Sequence, residues 1–429
     1  MKILIKNATL ISMNEEREKI EKNVDIEITD NKITKIAKNI ESDSEEKVID
    51  ATGKIVMPGL INTHSHVPMS IFRETLDGYN LQDWLEKKIW PMEDKLTESD
   101  IYYGSKLSFI EMIKTGCTTI NDMYFMTDDI INAAIDTGIR LQTTRTLMNM
   151  NEEDGIQRLK ELDELLEKYR NKNELITFNA GIHGLYTTNL QYVEKCIEFA
   201  KEKELLVHMH FCENFTLIGN DIPENVKNIN YGKAKKIVHR KALELKKEPK
   251  KLSKEDIKRL SKLNISVSHC PVSNLKLGCG IANINEMIEN NINVSLGTDG
   301  QGSGSNLDLF ETMKFTALLQ KGIQENAVSM PAYEVLKMAT INGAKALNLE
   351  DKIGSLQEGK IADIIILNLN DVVTNPVNDI VSDIVYNAKG TNVETTIING
   401  NILMESRKIK KDEKEVFEKC RKIMERIRE

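Results

Sequence analysis

At 429 residues the chain is longer than one average domain, yet an α/β barrel with a small companion domain accounts for it. Its 66 acidic against 58 basic residues give a net charge of -8, which argues against a nucleic-acid polymer or an anionic membrane as the main partner and favours a small molecule. The six cysteines, Cys117, Cys196, Cys212, Cys270, Cys279 and Cys420, form no Cys-x-x-Cys pair, so neither a zinc knuckle nor a disulfide framework is expected.

From the N-terminus, Met1 to Asn7 is too short and too interrupted by lysine for a signal peptide. No apolar run reaches the length of a membrane span, so a soluble, cytoplasmic protein is expected. Residues 1 to about 55 cluster apolar residues between Asn, Asp and Gly punctuation and predict short strands at Ile3–Ile5, Val24–Ile28, Lys32–Ile36 and Lys47–Asp50. The next segment, Met57-Pro58-Gly59-Leu60-Ile61-Asn62-Thr63-His64-Ser65-His66, is an apolar run ending in His-x-His. Side chains alternate along a strand, so both imidazoles point the same way. At that spacing they can share one divalent metal, and neutral imidazole suits zinc or iron better than hard cations.

Strand-like and helix-like segments then alternate. Strands are predicted at Leu60–His64, Thr118–Asn121, Ile139–Thr144, Ile176–Ala180, Leu205–His210, Ile265–His269 and Asn293–Gly297, with amphipathic stretches such as Ile156–Tyr169 and Val193–Glu202 between them. An eighth strand is expected between His210 and Ile265. The alternation indicates an α/β fold of parallel units, a (β/α)8 barrel with its chemistry at the C-terminal strand ends. Strands at Ala362–Leu367, Ile384–Tyr386 and Thr395–Leu403 follow, and the charged tail Arg407–Glu429 predicts a terminal helix with a solvated face.

Two more strand ends match the first. Leu205 to Glu213 contains His208-Met209-His210-Phe211-Cys212-Glu213, and Ile292 to Gly300 ends in Asp299-Gly300. His64, His66, His210 and Asp299 are the candidate metal set, leaving room for a water that the metal can acidify. His208 shares the face of His210 if the strand is regular, and is expected deeper in the barrel with a structural role. Gly300–Ser305 is glycine-rich but lacks the phosphate-loop lysine, so it reads as an active-site loop. His-Glu-x-x-His and Pro-Cys-x-x-Cys are both missing, which sets aside those zinc chemistries.

Together with Ile89-Trp90-Pro91-Met92-Glu93, Ser268-His269-Cys270-Pro271-Val272-Ser273-Asn274-Leu275-Lys276-Leu277 and Gly354 to Asp363, these segments resemble the amidohydrolase superfamily nearly end to end. Within it they resemble the 5'-methylthioadenosine/S-adenosylhomocysteine deaminases and their 5'-deoxyadenosine-deaminating relatives. The Pro-Gly-Leu-Ile-Asn-Thr-His-Ser-His and Gly354–Asp363 stretches occur across the superfamily, whereas Trp-Pro-x-Glu and Ser-Asn-Leu-Lys-Leu point to the aminohydrolase branch. The resemblance implies a small β-sandwich built from both chain ends, residues 1–56 plus 352–406, a barrel over 57–351 and a C-terminal helix over 407–429. It implies one divalent metal per chain, Zn2+ with Fe2+ or Mn2+ as alternatives, because His183 ends the fourth strand where binuclear members carry a bridging modified lysine. A homo-oligomer, dimer or tetramer, is expected.

The reaction implied is hydrolytic replacement of the exocyclic amine of an adenosine-type nucleoside: 5'-deoxyadenosine, 5'-methylthioadenosine, S-adenosylhomocysteine or adenosine. By motif position Glu93 is assigned to the ribose hydroxyls, Arg145 to the 5' substituent or ribose side, and His183 to substrate contact. Glu213, three residues past His210, is expected beside the metal but not on it, as the acid that protonates the ring nitrogen, while Asp299 accepts the proton of the attacking water. Arg158 reads either as a second arginine of the site or as a solvated helix residue, and His269 and Asn274 are expected to shape the site without reacting. The chief departure from the family lies at Lys235–Lys251. There His239 either ends a short sixth strand, Lys236–Val238, and orients the water, or lies on an exposed amphipathic helix. Two rival functions follow from the sequence: deamination or dechlorination of a free amino-heterocycle such as guanine or a triazine, and a barrel that has lost its chemistry and serves as a scaffold.

Overall fold

The computed structural model describes residues 2–42, 46–75, 77–79, 81–184, 187–211, 215–219, 252 and 254–428. Short alternating segments near the N-terminus give β1 (Lys2–Leu10), β2 (Glu21–Thr29), β3 (Lys32–Ala37), β4 (Lys47–Asp50) and β5 (Ile55–Pro58). The β2–β3 hairpin closes over Asp30 and Asn31, with Thr29 opposite Lys32 and Asp30 at a φ of 55°. Asp and Asn tolerate that left-handed backbone, and the two-residue turn sets the register.

The barrel strands are β6 (Leu60–Ser65), β7 (Cys117–Asp122), β8 (Arg140–Thr143), β9 (Ile176–Ile182), β10 (Leu206–Phe211), β11 (Phe215–Gly219), β12 (Ile265–His269) and β13 (Asn293–Leu296). The C-terminal part adds β14 (Ile364–Leu367), β15 (Val393–Ile398), β16 (Asn401–Glu405) and β17 (Lys408–Ile409). Among the described residues the two chain ends share a nine-stranded sheet in the order β17-β16-β15-β14-β5-β1-β2-β3, with β4 also on β1. Its period-two apolar residues, including Ile3, Ile5, Ile26, Ile28, Ile364 and Ile366, pack into a core of their own.

The eight-stranded sheet runs in sequence order from β6 to β13. Its ends meet: Thr298 N and Asp299 N both donate to His64 O, at 3.2 and 3.0 Å, and Thr63 Oγ1 donates to Leu296 O at 2.9 Å. The result is a TIM-like barrel whose C-terminal strand ends carry His64, His210 and, just past β13, Asp299. Helices cover its outside, for example Glu98–Lys114, whose capping box joins Thr97 to Asp100.

Three expectations need correction. Ile384–Tyr386 is not a strand but part of the helix Ile380–Tyr386: Asp379 caps it by accepting from Ser382 N, and buried Val381, Ile384 and Val385 follow helical spacing. Among the described residues the strand between His210 and Ile265 is β11, and it runs antiparallel to both β10 and β12, so the described barrel is not uniformly parallel. Only three residues separate β10 from β11, too few for the crossover that parallel pairing requires. The proposed strand Lys236–Val238 lies outside the described residues. Finally, the terminal helix starts at Glu413 and not at Arg407, because β17 takes Lys408–Ile409; it runs to Arg428 with Val416, Cys420, Ile423 and Ile427 buried at three- and four-residue spacing and its charges on the other face. No helix among the described residues is long and apolar enough to cross a membrane.

Candidate active site

Three histidines converge where β6 and β10 end. One ring nitrogen from each of His64, His66 and His210 lies within 4.8 Å of the other two. The Asp299 carboxylate joins them, with Oδ1 at 3.5 Å from His64 Nε2 and 3.2 Å from His66 Nε2. Donors about 2.0–2.1 Å from a tetrahedral ion stand roughly 3.3 Å apart, so these separations are those of a coordination shell. His64 Nε2 and His210 Nε2 are buried and have no hydrogen-bond partner. A divalent metal satisfies both, and the donor set fits one.

The far ring nitrogens are held by the barrel. His66 Nδ1 donates to Met123 O at 2.6 Å, which turns Nε2 towards Asp299. His64 Nδ1 lies 3.0 Å from His208 Nε2, so His208, fully buried as expected, backs a candidate ligand directly. Asp299 sits at a φ of 62°, an uncommon backbone for aspartate, and its second oxygen accepts from Ser273 Oγ at 2.5 Å and Ser303 Oγ at 2.8 Å.

Burial raises the Asp299 carboxyl, but the imidazoles of His64 and His66 beside it outweigh that and hold the group well below the usual carboxylate range. Burial lowers the His66 imidazole, yet Asp299 beside it and the Met123 carbonyl raise it to about 9. His210 is driven well below the ordinary histidine value, first by burial and then by the neighbouring imidazoles.

These groups form one side of a cavity of about 580 Å³. Its walls include Glu93, Tyr124, Arg145, Arg158, His183, Asn274 and Trp84. Trp84, Leu85, Ile89, Trp90 and Glu93 all come from the helical segment 81–93, which widens to π geometry over Leu85–Ile89 with Trp90 N bonded to Leu85 O. Pro91 has no N–H to offer the Lys87 carbonyl, and the wider turn accommodates that break.

Arg145 pairs with Glu161 at 2.6 Å and Arg158 with Asp154 at 2.9 Å, and both guanidinium groups reach the Thr146 carbonyl at 3.4 Å. His183 lies on the cavity wall with its ring centroid 5.2 Å from that of His210, its Nδ1 is 2.9 Å from Thr187 Oγ1, and burial pushes it down to about 3.

The structure therefore gathers His64, His66, His210, Asp299, Glu93, Arg145 and His183 around one cavity. Of the open readings, Arg158 lines the cavity and is not a surface residue, Asn274 lines it as well, and His269 is buried behind it. Glu213 and His239 lie outside the described residues. Sequence reasoning missed Tyr124, Ser273 and Ser303. Ser273 stands inside the Ser-Asn-Leu-Lys-Leu stretch, and Tyr124 and Ser303 follow barrel strand ends, which was the available signal.

Residues 55–403 match the amidohydrolase family. The chain is 38% identical over 422 residues to a 5-methylthioadenosine/S-adenosylhomocysteine deaminase of Caldanaerobacter subterraneus, covering 96% of this chain and 94% of that protein. It is 39% identical to a 5'-deoxyadenosine deaminase of Methanosarcina acetivorans, covering 99% and 98%. Among solved structures, an adenosine deaminase from Xanthomonas campestris with bound zinc superposes with a TM-score of 0.86 at 25% identity, covering 99% of this chain and 98% of that one. An atrazine chlorohydrolase from Arthrobacter aurescens complexed with zinc shares the fold, with a TM-score of 0.85 at 22% identity, covering 98% and 100%.

Proposed function

The chain belongs to the amidohydrolase family, and from that premise we propose that it deaminates adenosine-type nucleosides by hydrolysis, giving the inosine analogues and ammonia. It is a hydrolase acting on C–N bonds, and its substrate is a small molecule. The substrates we favour are 5'-deoxyadenosine, 5'-methylthioadenosine, S-adenosylhomocysteine and adenosine, the first three being those for which the similar proteins are named. The observation that carries the reading is a three-histidine and carboxylate cluster facing one cavity with Glu93, a carboxylate suited to a ribose diol.

In this reading His64, His66, His210 and Asp299 hold one divalent metal, zinc by preference. Bound there, it supplies Lewis acidity and draws the pKa of water towards about 7. Water adds to the ring carbon that bears the amine. Glu213 gives a proton to the adjacent ring nitrogen, which ends aromaticity and lets the carbon become tetrahedral, while Asp299 Oδ1 accepts one proton of the attacking water. On collapse Asp299 passes that proton to the departing amine and the remaining hydroxyl proton returns to Glu213, so ammonia leaves as the ring carbonyl forms. Glu93 accepts from the ribose hydroxyls, while Arg145 and His183 contact the substrate. One face of the terminal sheet has an apolar core of its own, which supports a division into a barrel and a terminal-strand domain, while residues of its strands such as Ile365, Leu367, Val393 and Met404 join the barrel's core.

The test is ammonia release from a nucleoside panel by metal-reconstituted protein. Turnover of adenosine analogues is expected, and Glu213→Gln should keep its metal while losing at least about 10²-fold in turnover, the lower end of general acid/base contributions. Release from free guanine or a triazine alone, or from nothing, overturns the reading.

A further inference from the structure

Tyr124 stands just past the C-terminal end of β7, Glu93 belongs to the helical segment 81–93, and both line the cavity. Tyr124 Oη donates to Glu93 Oε1 at 2.5 Å, joining the two elements. The phenol is held firmly. It is 4% exposed, its backbone oxygen accepts from Thr146 N at 3.0 Å and from Thr146 Oγ1 at 2.7 Å, and its ring stacks on Phe125 with centroids 4.1 Å apart.

A phenol has one proton to give, and here it goes to one carboxylate oxygen. The rotation of the Glu93 carboxylate is therefore set by a fixed barrel residue and not only by the helix that carries it. We propose that Tyr124 is a positioning residue for nucleoside recognition: by holding Glu93 Oε1 it aims the remaining carboxylate lone pairs at two vicinal hydroxyls of a ribose. This rests on the reading of Glu93 given above.

The chemistry of the pair suits the task. A vicinal diol offers two donors on adjacent carbons, and a carboxylate accepts both only when its plane is fixed; fixing it before the substrate arrives removes an ordering cost from binding. Lysine or arginine in place of Tyr124 would neutralise the acceptor, whereas a phenol orients it and leaves its charge. Burial pushes the Glu93 carboxyl towards its neutral form, and the Tyr124 hydrogen bond opposes that. Tyr124 itself is held well above the ordinary phenol range, first by burial and then by Glu93, so it stays a donor.

The experiment compares adenosine with 2',3'-dideoxyadenosine in steady-state kinetics of the metal-loaded full chain. For Tyr124→Phe the ratio of kcat/KM between the two substrates should fall about tenfold in disfavour of adenosine, the worth of one charge-assisted hydrogen bond, with the loss in KM and not in kcat. In a Glu93→Ala background the same change should leave the ratio where Glu93→Ala alone has put it. A ratio is independent of the fraction of folded enzyme, so a poorly folding variant still reports. If Glu93→Ala shifts the ratio and Tyr124→Phe does not, the role of Tyr124 is overturned while the ribose reading stands. If Glu93→Ala leaves the ratio unchanged, both fall.

Discussion

In the proposed metal site, His66 is the residue at which proton and metal compete. Its raised value of about 9 comes from Asp299 and the Met123 carbonyl working against burial. A metal that takes the Nε2 lone pair must displace that proton, so binding releases it and is opposed by acid. The sign follows: below about 9 the proton competes, and affinity should tighten roughly tenfold per pH unit from 7 to 9, levelling above that range. Chelator-competition titrations across that interval test it, and a flat profile would show that His66 is not a ligand. At this scale the sequence is legible for residues whose chemistry is local. His-x-His at a strand end announces two imidazoles on one face, and the structure brings the third within reach from β10. Ser273, Ser303 and Tyr124 act through hydrogen bonds across elements far apart in the chain, and no spacing rule encodes such a partnership.

At the scale of elements, the strand ends are packed too tightly to admit extra atoms. A Cβ at Gly297 would stand 2.7 Å from Ser268 Oγ, 2.8 Å from Cys270 Sγ and 2.9 Å from His64 Cβ. Gly297→Ala should therefore push His64 away from its partners. We expect a loss of about 1–3 kcal/mol in stability, the usual cost of overpacking, together with weaker metal retention, read by urea unfolding and by metal content after dialysis. Wild-type stability and metal content would place the extra methyl in slack space. Period-two and period-three-to-four patterns make most elements readable, including the barrel strands on either side of β11 and the helices over 152–169 and 190–202. They fail at Ile384–Tyr386, where three apolar residues in a row fit either period and the deciding cap, Asp379, lies outside the run. They fail also at β11, whose direction depends on the length of the preceding loop and not on its own residues.

For the whole molecule, the barrel and the terminal sheet are joined by a buried ion pair. Arg140, at the start of β8, gives Nε and Nη2 to the two oxygens of Asp363 at 2.9 and 3.0 Å, and Asp363 Oδ1 also accepts from Asn399 N at 2.7 Å. The side chains are 5% and 2% exposed. Asp363→Ala leaves the guanidinium buried without its counter-charge and should cost about 3–5 kcal/mol, measured by urea unfolding; a cost under about 1 kcal/mol would mean that the pair adds nothing across this junction.

The barrel seam carries a different consequence. The His64 carbonyl receives the Thr298 and Asp299 amides, so the residue whose imidazole is the proposed first ligand also joins the first barrel strand to the last. Nearby, Asn62 and Thr298 meet across 236 positions of sequence. A chain emerging from the ribosome has His64, His66 and His210 long before it has Asp299, and until then it has no closed ring to hold them in place. The proposed four-ligand site is thus complete only once the barrel has closed, and full metal retention is expected of the finished barrel and not of a chain cut short before Asp299.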